Sequence, residues 1–112
     1  MNTLNNELLI IDADQGLPLL QCLTHLDQGG HLIASCTNVR LAVIENLNNL
    51  KKKYPKQCTI EVSSEKPEST DTILLIETYR HICSTNVNKV TIVTNDKKLA
   101  NQLTYLTDHY IS

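Results

Sequence analysis

Four aspartates carry the chemistry that this sequence offers. Asp12 and Asp14 end the run Leu-Leu-Ile-Ile-Asp-Ala-Asp at 8–14, Asp71 follows Ser69-Thr70, and Asp96 follows the β-branched run Val90–Thr94. Carboxylates gathered in one small space repel, which raises their pKa values unless a cation lies between them. Oxygen-only ligands suit Mg²⁺ or Mn²⁺, which keep waters and bind substrate phosphate. A site of that kind lowers the pKa of a bound water and steadies a phosphodiester under in-line attack. Three of these acids also have a structural role open to them. Asp14 before Gly16 suits a turn, Asp71 suits the first turn of a helix, and Asp96 suits a helix N-cap.

The elements that would position these acids follow from the pattern of apolar residues. Four consecutive aliphatic residues at 8–11 suit a strand covered on both faces. Pro18 fits a first helical position, Leu19, Leu20, Leu23 and Leu26 recur at helical spacing, and Gly29-Gly30 stops that helix. A second buried strand spans 31–36, and Thr37-Asn38 offers an N-cap. The next helix would pack through Val39, Ala42, Val43, Leu47 and Leu50 and close at Lys51-Lys52-Lys53, where lysines favour the helix dipole. Residues 58–63 alternate apolar and polar, the mark of an edge strand with one wet side. After a polar loop at 64–69, Thr70 would cap a third helix from Asp71 to about Cys83, with Ile73, Leu75, Ile76, Tyr79 and Ile82 for packing. Val90–Thr94 reads as a strand. Asn95-Asp96 would open a last helix from Lys97 to about Tyr105, and a short fifth strand is expected at 109–112.

The order βαβαβαβα with short connections predicts an α/β fold: a three-layer α/β/α sandwich on a parallel sheet of four to five strands, joined by right-handed crossovers. With strand order 3-2-1-4(-5), the switch point lies between the first and fourth strands. Open α/β sheets bind ligands at such a point, beyond the carboxyl ends of the strands. Asp12, Asp14, Asp71 and Asp96 would meet there, with Thr94 and Asn95 adding hydroxyl and amide contacts.

The 112 residues suit a single domain, 1–112, with 41% hydrophobic and 20% charged residues of mixed sign. A net charge of −2 argues against nucleic-acid binding through overall charge, while leaving room for a local basic patch. Lys51, Lys52, Lys53, Lys56, Lys97 and Lys98 are the candidates for phosphate contacts, and Tyr54, Tyr79, Tyr105 and Tyr110 for stacking on bases. Cys22, Cys36, Cys58 and Cys83 form no Cys-x-x-Cys pair, which argues against zinc and for reduced thiols in the cytoplasm. No apolar run approaches the roughly 20 residues of a membrane helix, and the N-terminus lacks the basic start of a signal peptide.

The stretches Ile11-Asp12-Ala13-Asp14-Gln15 with Pro18, Ser69-Thr70-Asp71-Thr72-Ile73-Leu74-Leu75, and Val90-Thr91-Ile92-Val93-Thr94-Asn95-Asp96-Lys97-Lys98-Leu99 together resemble the NYN-domain branch of the PIN-like nucleases. That family opens on an aliphatic strand and an Asp-x-x-Asn-type motif, continues with an Asp-led helix, and ends on a strand running into Ser-x-Asp-x-Asp-Phe. The resemblance implies a metal-dependent endoribonuclease. Asp12, Asp71 and Asp96 would be its catalytic and metal-binding acids, with Asp14 a further metal ligand. Mg²⁺ or Mn²⁺ would be the cofactor and RNA the partner, with Thr94, Asn95, Lys97 and Lys98 as substrate contacts.

Two positions depart from the family pattern. Gln15 stands where Asn is common, and Lys98 replaces a carboxylate by an ammonium, which would compete with a metal or instead hold a phosphate. Lys98 also favours a catalytically degenerate module that binds RNA or a protein. A haloacid dehalogenase-like phosphatase is a further alternative, with Asp12 as nucleophile, Asp14 as acid, and Ser35 or Thr37, Lys66 and Asp96 completing the set. A four-stranded sheet with an open edge would tend to pair with a second copy or a protein partner.

Overall fold

The computed structural model describes residues 5–64 and 66–111. Strands β1 (Glu7–Asp12), β2 (His31–Thr37), β3 (Cys58–Ser63) and β4 (Lys89–Val93) form one sheet in the order β3-β2-β1-β4. All three pairings are parallel, with Leu9 opposite Leu32 and Thr91, and Ala34 opposite Ile60. Helices α1 (Leu19–Asp27), α2 (Leu41–Lys53), α3 (Pro67–Ser84) and α4 (Lys97–Tyr110) join and follow the strands. The expected α/β sandwich with its 3-2-1-4 order is therefore present.

Alternation along β1 sends its side chains into two separate cores. Leu9 and Ile11 pack with Cys22 and Leu26 of α1 and Leu47 and Leu50 of α2. Leu8 and Ile10 pack on the other face with Leu74 and Ile82 of α3 and Leu99 and Leu103 of α4. This double coverage explains why β1 reads as an unbroken aliphatic run. Leu8 through Ile11 are each at most 1% exposed, as are Leu32 through Cys36 of the neighbouring β2.

Several element boundaries differ from expectation. Pro18 caps α1 rather than occupying its first turn, and neither Thr37 nor Asn38 caps α2, which begins after Arg40 without a side-chain cap. Thr37 instead extends β2 and turns its hydroxyl to Asp14. Val39 and Ala42 are exposed, so α2 packs through Val43, Ile44, Leu47 and Leu50. Helix α3 starts at Pro67, four residues before Asp71, because proline fits a first helical turn where its missing N–H costs nothing. Thr70 is thus a buried helical residue and not a cap, and Asp71 lies beyond the first turn. Leu74 provides the buried contact of this helix, while Ile76 and Tyr79 are exposed.

The fifth strand is not formed among the described residues. Helix α4 runs on through Tyr110, with Leu99, Leu103 and Thr107 recurring on its buried face. That helical spacing keeps residues 109 and 110 in the helix, and Ser112 lies outside the described residues. Strand β3 occupies an edge as expected, although its alternation fails at the end, where Val62 is exposed and Ser63 buried.

Truncation inside the doubly covered strand should be costly. Ile10→Ala is expected to lower the unfolding free energy by about 2–5 kcal/mol in urea titrations. Leu20→Ala, at a side chain 79% exposed, should stay within about 0.5 kcal/mol of the wild type.

Candidate functional site

Asp12 is the last residue of β1, and the chain leaves it through a 3-10 turn at Ala13–Gln15 that ends on Gly16. The φ of +113° at Gly16 is one that other residues rarely adopt, so glycine permits this sharp exit. Beyond the sheet rim, Asp12, Asp14, Asp71 and Asp96 line one cleft of about 350 Å³, together with Gln15, Thr37, Val39 and Arg40. All four predicted acids therefore reach a common space at the carboxyl ends of the strands.

Their surroundings are not equivalent. Asp14 Oδ1 accepts from the Thr37 backbone N–H at 2.7 Å and from the Thr37 hydroxyl at 3.0 Å, and its Oδ2 accepts from the Thr70 hydroxyl at 3.0 Å. Thr70 Oγ1 in turn lies 2.8 Å from Ser63 Oγ. Since Thr70 gives its proton to Asp14, Ser63 donates to Thr70. Asp14 thus ties the loop after β1 to the ends of β2 and β3 and to α3. A phosphatase-like acid would have to face the ligand, whereas these bonds turn Asp14 toward the fold.

Asp12 is 6% exposed. Its Oδ1 accepts from the Asp14 N–H at 3.3 Å and its Oδ2 from the Thr94 hydroxyl at 3.0 Å. Thr94 accepts from the Asp96 N–H, and Asp96 Oδ1 caps α4 by accepting from the N–H groups of Lys98 and Leu99 at 2.9 and 3.2 Å. The capping role expected for Asp96 is therefore real, and it leaves Oδ2 uncommitted among the described residues. Asp71 forms no side-chain hydrogen bond or ion pair among those residues.

Burial pushes the Asp12 carboxyl above its usual range, and the charges of Asp14 and Asp96 add to the shift while Thr94 and the Asp14 N–H oppose it. Asp71 is raised as well, first by burial and then by Asp96, Asp12, Glu68 and Asp14. Both carboxyls therefore stand where their charged forms are disfavoured, first by burial and then by the neighbouring acids. Among the described residues no three carboxylate, imidazole or thiol groups converge tightly enough to grip one metal ion. The donors that remain, carboxylate oxygens of Asp12, Asp71 and Asp96, fit an ion that keeps most of its waters and takes one or two carboxylates, as Mg²⁺ does.

Thr94 is half-buried against Asp12, and Asn95 Nδ2 donates to Gln15 Oε1 at 3.4 Å. Lys97 and Lys98 are exposed in the first turn of α4. Lys51, Lys52, Lys53 and Lys56 lie where α2 ends and β3 begins, at the amino edge of the sheet and away from the acids. Lys51 there donates to the carbonyls of Pro55 and Cys58. Tyr54 is buried, while Tyr79, Tyr105 and Tyr110 are exposed. Arg40 was not singled out by the sequence, yet it lines the same cleft. Its position three residues past the end of the second strand, at the carboxyl edge of the sheet, is the signal that could have found it.

No family model matches the chain, and no curated protein and no solved structure matches it.

The two kinds of acid should separate in mutants. Asp14→Ala strands the Thr37 and Thr70 donors and should cost about 1–3 kcal/mol in chemical denaturation. Asp71→Asn should instead raise the melting temperature near pH 7. A carboxyl whose native pKa is raised stabilises the fold fully below its unfolded value of 3.8 and loses that contribution as pH rises through the native value. The advantage of Asp71→Asn should accordingly vanish near pH 3.

Proposed function

We propose that this cleft binds Mg²⁺ or Mn²⁺ and hydrolyses phosphodiester bonds of RNA, as the resemblance to NYN-type PIN-like nucleases implies. The observation that carries this reading is the meeting of Asp12 and Asp71, from the central strand and a crossover helix, in one cleft where both carboxyls are raised. Surplus negative charge at a topological switch point is a use for a cation. When bound, the ion lowers the pKa of an attacking water and neutralises charge developing on the phosphoryl oxygens.

The chain's own residues divide the remaining work. Asp12, fixed by Thr94, offers its carboxylate to the ion from a constant direction. Asp71 carries the free carboxylate; it would hold the ion with Asp12 and take the proton of the attacking water at Oδ. Asp96 adds charge from the head of α4. Arg40, with its planar fork of donors, is suited to hold a phosphate oxygen pair across the cleft. Lys97 and Lys98, on the same rim, would contact neighbouring phosphates, together with Asn95. Under this reading Lys98 serves the RNA strand and not the ion, which reconciles it with the acids.

Thermal melting with millimolar Mn²⁺ checks the site before any substrate is known. A ligand of the folded state raises the melting temperature by mass action. Mn²⁺ should raise it for the wild type and not for Asp71→Asn. Cleavage of single-stranded RNA should need the metal and fall by about 10²-fold or more in Asp71→Asn. Melting unchanged by either ion, with RNA bound but uncut, would replace this reading by a degenerate binding module. Hydrolysis of phosphomonoesters alone would favour a phosphatase.

A further inference from the structure

At the amino edge of the sheet, opposite the acidic cleft, the rings of His31 and His81 stack with their centroids 4.2 Å apart and their planes 30° apart. His31 begins β2, and His81 lies in the last turn of α3. Both are half-buried and line a cavity of about 260 Å³ with Glu7, Lys56 and Asn86. His31 Nε2 lies 2.9 Å from the Thr59 hydroxyl. Little else holds this end of α3. Past Leu74 the helix buries Glu77, Thr78 and Ile82. Glu77 pairs with Arg80 of its own helix, and Thr78 Oγ1 is buried without a hydrogen-bond partner among the described residues. A buried hydroxyl left alone costs stability. Ile82 and the imidazole stack therefore carry the attachment.

We propose that the His31–His81 stack is an acid-sensitive latch: neutral rings hold the C-terminal half of α3 on β2, and protonated rings release it. A neutral pair packs two flat surfaces together, whereas two imidazolium rings at this spacing repel.

The charged groups around the pair favour the neutral form. Lys51 closes α2, Lys56 precedes β3, and His25 of α1 donates its Nε2–H to the His31 carbonyl at 2.7 Å. The acids nearby are Glu7 of β1 and Glu77 of α3, and each already has a cation. Lys89 of β4 lies 3.5 Å from Glu7, and Arg80 lies 3.3 Å from Glu77. Burial is the first cause that holds His31 down to about 4, with His81, Lys51 and His25 adding to it, and burial lowers His81 as well. A histidine lowered in the native state contributes stability that is complete above its unfolded value of 6.5 and is lost as pH falls through the native value. The raised carboxyls of Asp12 and Asp71 act with the opposite sign, so the latch is separable from the acidic cleft. The inference does not depend on what that cleft binds.

Amide hydrogen exchange, corrected for the intrinsic effect of pH, tests the latch. Between about pH 7.5 and pH 4, protection at residues 78–84 should fall by about tenfold or more, while residues 71–75 and strand β1 keep theirs. The double variant His31→Phe, His81→Phe keeps two flat rings that cannot be charged, and its protection should not fall. Protection in the wild type that ignores pH would overturn the latch. So would a loss equally large in the double variant, or one shared by residues 71–75, which would mean that the whole chain opens. If the double variant does not fold, proton NMR of the wild-type rings decides. His31 or His81 should take up its proton below pH 6.5, over the same range in which residues 78–84 lose protection. Uptake by both rings at or above that value, or outside that range, would overturn the proposal.

Discussion

The fold of the acidic rim depends on the Asp14 carboxylate. It accepts three hydrogen bonds from two residues that reach it from different elements, Thr37 at the end of β2 and Thr70 inside α3. Through Thr70 the chain of hydrogen bonds extends to Ser63 at the end of β3. Hydrogen bonds to an ionised acceptor are among the stronger ones, and buried donors left without a partner are costly. One side chain thus sets how the first turn, the sheet and the crossover helix sit together, and so where Asp12 and Asp71 stand.

The remaining acids behave in the opposite way. Asp12 and Asp71 are held near each other by a scaffold that Asp14 secures, and their charges work against folding at neutral pH. Repulsion of this sort persists only where the surrounding packing overrides it. Leu8–Ile11, buried on both faces, supply that packing immediately before Asp12. The contrast between Asp14 and Asp71 is one between a carboxylate used up by the fold and one left available to a ligand.

The four-stranded sheet also leaves two edges that differ in kind. At β3 an exposed glutamate interrupts the edge, while at β4 a β-branched strand ends directly beside the rim that holds Thr94 and Asp96. The uncovered edge and the charged cleft are therefore adjacent. Asp12 and Gln15 line both the groove that flanks β4 and the acidic cleft, so the two spaces share a wall.

The sequence by itself determined the element order, the parallel sheet and the rim on which the four acids lie. Period and run length are local properties, and the handedness of βαβ crossovers leaves few topologies to choose from. Where apolar spacing continued without a clear stop, local reading failed: α4 runs past Tyr105 because Leu103 and Thr107 keep contact with the core. Only the tertiary structure decided what each acid does. Asp12, Asp14, Asp71 and Asp96 are alike as residues, and their spacing along the chain does not distinguish a hydrogen-bonded tether from a free carboxylate. Thr37 and Thr70 reach Asp14 from far along the chain, and Arg40 enters the cleft from the loop after β2. Such partners are set by packing between distant segments, which no local pattern encodes.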